Sequence, residues 1–446
     1  MSVLLNALTD QFREHAGELP GTRRPQVVEV REQAFSRFEA AGMPTIKLED
    51  WKYTDIRTLR DAEYIALGRQ RGHTDTAPGA LTLSELSLPE FTPHVVVFLN
   101  GEFCSRLSTL DSLPAGVKFT TIESLLQHGS VEILEHMSRH DAAFPSLNSA
   151  FLADGVIIDL APETVLEDPI HVIFVNARTL APQLNTARLI INGRRNSSAT
   201  IVESHCGVPG AQGMTNALTE IEVNDGASLS HYRVQIDQPA THHIGSVFVT
   251  VGQDAAVATY SFAFGGAITR IDVNADLVGP GASTVVNGLF MAGENQHIDH
   301  HTRIRHQVGR TRSTENYKGI ADGNGRGVFN GKIIVAKDAQ KIEATQSSRN
   351  LLLSEGAEID TKPELEIYAD DVKCTHGATV GQLDEDALFY LRARGIDEQS
   401  ARSILTVAFA ADIADGVDIA PLRQWLEQII TARTSDGGVK EIENRD

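Results

Sequence analysis

A chain of 446 residues is long enough for two or three domains, each with its own core. Apolar residues make up 41% and charged residues 22%, the balance of an ordinary globular protein. The net charge of −20 and a pI of about 5.2 exclude a non-specific grip on nucleic acid or on an anionic membrane, because phosphates need a basic footprint. The three cysteines, Cys104, Cys206 and Cys374, are widely spaced and form no CxxC, which points to a reducing compartment and away from a disulfide framework.

The first stretch, MSVLLNALTDQFREHAGELP, lacks a basic start followed by an unbroken apolar core, and Asp10, Glu14 and Glu18 also weigh against a targeting signal. No apolar run approaches the roughly 20 residues of a membrane helix; HVVVFL and HVIFV are strand-sized. A cytoplasmic location is therefore expected. Residues 1–92 are expected to form an N-terminal helical region. Val30, Ala34, Phe35, Phe38 and Ala41 fall on one helical face, which Gly42 and Pro44 stop. GMPTIKLEDWKYTDIR follows and reads as a loop packed by Trp51 and Tyr53 rather than a ligand site.

From about Pro93 the texture becomes β. HVVVFLNGEF, DGVIIDLAP, DPIHVIFV, ARLIING and ATIVES are short Val/Ile/Thr-rich runs divided by Asn, Asp, Gly and Pro. Six later stretches repeat a turn pair followed by a β run, with Ala227, Ala256, Ala282, Ala339, Ala357 and Ala378 as the second residues of the pairs. Their separations are 29, 26, 57, 18 and 21, the 57 being about twice the others. Periods in the twenties signal a solenoid, and an almost wholly β repeat makes it a β-helix. Residues 93–383 are thus expected to form a parallel β-helix core in a mainly β protein.

The core is expected to end in DDVKCTHGATVGQLDEDALFYLRARG, Asp370 to Gly395. Val372, Cys374, His376, Ala378 and Val380 share one parity, so an extended chain projects them from one face. A thiolate and an imidazole together suit zinc, copper or an iron–sulfur species. Two ligands cannot close a tetrahedral shell, so a metal there would be shared with another chain. The plainer alternative is a buried thiol beside a turn histidine. Residues 384–433 are expected to form a C-terminal helical region: Asp384 and Asp397 suit helix starts, and Gly395 and Gly416 suit stops. That region also suits covering the open end of the solenoid, whose edge groups would otherwise be unpaired. The polar tail, residues 434–446, is expected to be disordered.

Other constellations are weaker. In HIDHHTRIRH, alternation puts Ile298, His300, Thr302, Ile304 and His306 on one face and His297, Asp299, His301, Arg303 and Arg305 on the other. Neutral histidines satisfied by neighbouring coils account for this better than a zinc site built from His297, His300 and His301. The basic group Arg303, Arg305, Arg310 and Arg312 reads as a solvated face or an acidic protein contact. ADGNGRGVFNGK matches no phosphate-binding loop and reads as a turn between coils. The acids Asp370, Asp371, Asp384, Glu385 and Asp386 could imitate those of a carbohydrate-active β-helix enzyme, yet several occupy helix-start positions.

Three stretches carry a resemblance. YADDVKCTHGATVGQLDEDALFYLRARGI, HHTRIRHQVGRTRSTENYKGIADGNGRGVFNGKIIV and GMPTIKLEDWKYTDIR resemble signatures of the SufB/SufD family of iron–sulfur cluster assembly scaffolds, the last of them that of its SufD branch. The similarity runs from about residue 30 to about residue 430. It implies a parallel β-helix core between helical regions, and a non-enzymatic subunit with no catalytic residue of its own. The implied partners are a SufB-like subunit and the SufC-like ABC-type ATPase, the latter docking on the C-terminal helices; a homodimer could form in isolation. The resemblance implies that the histidine of the K-C-x-H-G motif, here His376 with Cys374 beside it, holds metal at the SufB interface. No cofactor would be bound permanently; the nascent Fe–S cluster would be shared with SufB. The region SSRNLLLS, Ser347 to Ser354, lacks the further cysteine of SufB chains, and Thr375 to Gly377 read T-H-G where those chains read like E-H-E. Both departures place the sequence on the SufD side and leave an unaided sulfur-acceptor role unsupported.

Overall fold

In the computed structural model, residues 2–66, 82–86, 88–110, 113–129 and 131–434 are described. The N-terminal part contains α1 (Val3–His15), α2 (Pro25–Ala41) and the single turn α3 (Arg57–Arg60). Then come β1 (His94–Leu99), β2 (Glu102–Phe103) and β3 (Val117–Thr121). Three helices follow: α4 (Ile122–His128), α5 (Glu132–Ser138) and α6 (Ala143–Phe151). From there the chain winds regularly through β4 (Val156–Leu160), β5 (Ile170–Asn176), β6 (Gln183–Gly193), β7 (Ser198–Gly207) and β8 (Gly213–Val223). It continues through β9 (Ser228–Ile236), β10 (Thr241–Val251), β11 (Ala256–Ala263), β12 (Ile268–Leu277) and β13 (Ser283–Ala292). The last coils hold β14 (His297–His306), β15 (Arg312–Ala321), β16 (Arg326–Val335), β17 (Ile342–Leu352), β18 (Glu358–Ile367) and β19 (Val372–Gly381). Three helices end the described chain: α7 (Glu385–Ala393), α8 (Glu398–Ala414) and α9 (Ala420–Thr434).

Successive strands alternate between two sheets. One runs β19-β17-β15-β13-β11-β9-β7-β5-β1-β2, the other β18-β16-β14-β12-β10-β8-β6-β4-β3. Every ladder is parallel except the short pairs β1–β2 and β3–β4. This is the parallel β-helix the repeats predict, flattened into two facing sheets. Its true period is a whole coil. Ser228 lies opposite Ala256, Ala256 opposite Ser283, Ser283 opposite Arg312 and Arg312 opposite Glu343, steps of 28, 27, 29 and 31 residues. On one side of the coils a residue with positive φ opens each turn, in succession Asn196, Gly226, Asp254, Gly281 and Arg310. A buried small residue follows it: Ser197, Ala227, Ala255, Ala282 and Thr311. That left-handed step explains Gly226, Asp254 and Gly281 of the turn pairs, whereas Asp338, Gly356 and Gly377 do not take it. The short separations of 18 and 21 arise because Ala357 belongs to the other sheet's turns and Ala378 sits inside β19; in the second repeat the buried position is Ala255, not Ala256.

Between the sheets lies an apolar lumen that includes Val172, Ile191, Ile221, Val249, Val273, Phe290, Ile304 and Phe329. Helices cover both outer faces. The N-terminal ones pack Leu8, Phe35, Phe38, Leu147 and Phe151 against Leu184, Met214, Ile244 and Ile268 of the nine-stranded sheet. The C-terminal ones pack Leu388, Ala410, Ile413, Leu422, Leu426 and Ile430 on Tyr232, Phe262, Leu289, Ile320 and Leu351 of the other sheet. Buried Arg433 donates to the carbonyl oxygens of Phe264 and Met291 and to Gln296 Oε1, fastening α9. Lys318 Nζ donates to Phe409 O at 2.7 Å and pairs with Asp412, fastening α8.

Two expectations need correcting. The C-terminal helices do not stopper the solenoid: they lie along its side, and the end formed by β18 and β19 stays uncovered. The span 93–383, expected as the β-helix core, also contains α4–α6, an N-terminal layer whose seven- to nine-residue helices bury Ile122, Leu126, Ile133, Met137 and Leu147. The expected tail, apart from Thr434, lies outside the described residues.

Candidate functional site at the open end of the solenoid

β19 pairs with β17 on one side only, and β18 with β16 on one side only. Each therefore leaves a row of backbone N–H and C=O groups without a sheet partner. Cys374 pairs in register with Ala344 and His376 with Gln346, so both side chains continue lumen-facing rows. They are two residues apart on one face, about 7 Å. The His376 imidazole is exposed. Cys374 is half-buried against Val335, Ile342 and Ala344, and burial raises its thiol above the usual range. A thiolate there needs a metal or a cation brought from outside. Val380, Ile367 and Tyr368 leave apolar surface exposed around the same rim. The rim accordingly presents one exposed imidazole, one weakly acidic thiol and two open strand edges. Among the described residues no three His, Cys, Asp or Glu side chains group as a metal site.

The helix that follows behaves as its sequence predicts. Asp384 Oδ1 accepts from the backbone N–H of Asp386 and Ala387, and Gly395 ends the turn with φ 88°. α7 buries Leu388 but leaves Phe389 73% exposed and Tyr390 56% exposed, and on α8 Ile404 is 46% exposed. The Arg394 guanidinium lies 4.6 Å over the Tyr390 ring, while Phe389 and Ile404 leave apolar surface on the helices.

β14 shows the predicted alternation, with Ile298, His300, Thr302, Ile304 and His306 all buried in the lumen. Burial pushes His300 down to about 3 and His306 to about 4, so both are neutral. His297 and His301 lie on the outer face, so the three histidines do not converge on a zinc. Outside, Asp299 accepts from Thr54 at 2.5 Å and from Arg270 at 3.0 Å, and the Arg270 guanidinium lies 3.9 Å over the Trp51 ring. The loop GMPTIKLEDWKYTDIR thus docks on this strand. Together they wall a cleft of about 590 Å³ lined by Trp51, Phe144, Phe248, His301, Arg303 and Lys332. The acids around Asp370 are not among its lining, and Asp384 is spent as a cap.

Sequence reasoning missed a polar cluster inside the solenoid. Glu203 accepts from Arg233 at 2.5 Å and from Thr219 at 2.8 Å, and meets His205 at 2.5 Å and His231 at 3.0 Å. Arg233 also meets His243 at 2.6 Å, and His243 meets Asp237 at 2.8 Å. Burial pushes the Glu203 carboxyl up, but Arg233 and the two imidazoles outweigh it and hold it well below the carboxylate range. The available signal was parity: Ile201, Glu203 and His205 alternate on one face, as do Leu229, His231 and Arg233.

Comparison with known proteins fits this geometry. Residues 174–409 match the family description "SUF system FeS cluster assembly, SufBD core domain", and residues 4–172 match "SufBD protein N-terminal region". The chain belongs to the SufBD family of iron–sulfur cluster assembly proteins. Among its relatives, the iron–sulfur cluster assembly protein SufD of Escherichia coli is 31% identical over 97% of this chain and 98% of its own length. A SufBD family protein of Synechocystis is 30% identical over 93% and 92% respectively, and the SufD of Bacillus subtilis 24% over 96% and 93%. Among the described residues no helix is long and apolar enough to cross a membrane.

Proposed function

We propose that this chain is a non-enzymatic scaffold subunit of a cytoplasmic iron–sulfur cluster assembly complex, pairing through its open end with a SufB-like subunit. The observation that carries this is the exposed His376 on a strand with no outer partner: half a coordination shell beside an edge ready for a second polypeptide. The nascent cluster is cargo. Its iron would meet His376 from this side and ligands of the other subunit from the opposite side, with Cys374 adding a thiolate once metal lowers its pKa. The exposed Phe389, Tyr390 and Ile404 support α7 and α8 as the seat of a SufC-like ATPase, whose closure would pull on helices pinned to the solenoid by Lys318 and Arg433.

The test is His376→Ala in the co-expressed complex. Assembly of the subunits is expected to persist while cluster formation, read by absorbance and bound iron, falls at least tenfold. Full cluster formation in an intact complex would refute the role.

A further inference from the structure

The lumen row that ends at His376 does not stop being organised one strand in. Val286, Glu315, Gln346 and His376 occupy the same register position on β13, β15, β17 and β19. Their side chains point the same way at steps of about 4.8 Å. Gln346 Nε2 donates to Glu315 Oε2 at 2.6 Å. That commits one end of the amide inward. Its other end, Oε1, is buried and has no hydrogen-bond partner among the described residues. An orphaned buried carbonyl is costly and calls for a donor. Gln346 is 3% exposed although the only rung beyond it is the one carrying His376. Across the lumen Gly331 leaves the space the amide occupies; a Cβ there would overlap Gln346 Nε2. The imidazole above it makes no hydrogen bond in the described structure.

We propose that Gln346, held by Glu315, is the positioning residue of His376: its Oε1 accepts the N–H of one imidazole nitrogen and so turns the lone pair of the other outward, toward the incoming metal. A ligating histidine ordinarily gives its second N–H to such an acceptor, which fixes both tautomer and ring orientation. At pH 8.5, where its carboxyl is ionised, Glu315 acts one step behind by keeping the amide from turning over, since a carboxylate takes Nε2–H and not a carbonyl oxygen. This rests on the reading of His376 as a ligand, but it is measurable without metal.

The experiment is imidazole ¹⁵N NMR on the full metal-free chain at about pH 8.5, where an ordinary imidazole is neutral. The His376 signal is assigned by its loss in His376→Ala. The wild-type tautomer ratio is expected to differ at least fivefold from that of a free imidazole. In Gln346→Leu it returns to the free value. In Gly331→Ala, which displaces the amide while leaving β17 unaltered, it moves the same way. Glu315→Leu, which removes only the acceptor behind Gln346, shifts it at least twofold. A cooperative unfolding transition identifies folded variants, and any one folded variant suffices. A wild-type ratio equal to that of free imidazole, or one unmoved by these substitutions, overturns the proposal. If His376→Ala abolishes cluster formation while the ratio stays free, only the Gln346 inference fails. If His376→Ala is fully active, the parent reading fails whatever the ratio.

Discussion

Glu315 shows what a dry lumen does to a carboxyl. Burial pushes it up to about 7, offset only in part by the uncharged neighbours Thr302 and Gln346. Below its ordinary value of 4.5 it is protonated whether the chain is folded or not. Between there and about 7 only the folded chain keeps the proton, so stability falls by about 1.4 kcal/mol per pH unit, roughly 3 kcal/mol in all. Glu315→Gln is expected to remove this slope, and urea titrations at pH 5 and pH 8 measure it. Identical slopes in wild type and variant would show that the carboxyl titrates normally. Glu203 works in the opposite sense, as the shared acceptor of a buried cation and its neighbours. Glu203→Leu strands the Arg233 guanidinium and is expected to cost about 3–5 kcal/mol, of which Arg233→Met in the same chain restores a large part. Chemical denaturation of the single and double variants decides this. Neither Glu203 nor Arg233 stood out in the sequence, because ATIVES and the repeat that follows Ala227 read as ordinary strands. Only the parity of Glu203 with Ile201, and of Arg233 with Leu229, marks them as inward. His376 and Cys374 were legible for a different reason: they sit where a β pattern breaks into a helical one, and a ladder must end there.

At the scale of elements, the helix starts follow local chemistry closely. Asp397 Oδ1 accepts from Ser400 N at 2.9 Å, and Asp397→Ala is expected to cost about 1 kcal/mol, seen as a small drop in the unfolding midpoint. Phe389→Ser should leave that midpoint within about 0.5 kcal/mol of wild type, since the ring is mostly in water, yet abolish co-purification of a SufC-like ATPase. Retention of the ATPase would place its seat elsewhere. The coils were readable because five turns in succession, from Asn196 to Arg310, repeat a left-handed residue with a buried small one behind it. α4 and α5 were not: each is seven residues, under two turns, too short for a 3.6-residue period to rise above chance. On α8 the residues Ala401, Ile404, Leu405, Ala408 and Phe409 stand at helical spacing, which puts Ile404 and Ala408 on the expected apolar face. Both are exposed, whereas Ala401 at the same spacing is buried, and the buried face continues through Thr406, Ala410 and Ile413. Spacing alone cannot tell which stripe meets the sheet when a helix has two.

At the scale of the molecule, stability is distributed along a line, each coil resting on its neighbours. The innermost ladders are flanked on both sides and covered by helices, whereas β18 and β19 are flanked on one. Hydrogen exchange is therefore expected to be fastest in the amides of β18 and β19 and slowest near β8 to β12, with protection at the open end rising when a SufB-like subunit binds. Uniform exchange along the solenoid would contradict it. The two ends of the line also differ in kind. One finishes in the short antiparallel strands β2 and β3, which offer little for another chain to extend. The other offers ten-residue edges. A stack of such molecules has a single sticky pole, so two copies joined head to head leave nothing further to add to. Sedimentation of the concentrated chain without its partners should accordingly show growth halting at a pair, never a filament.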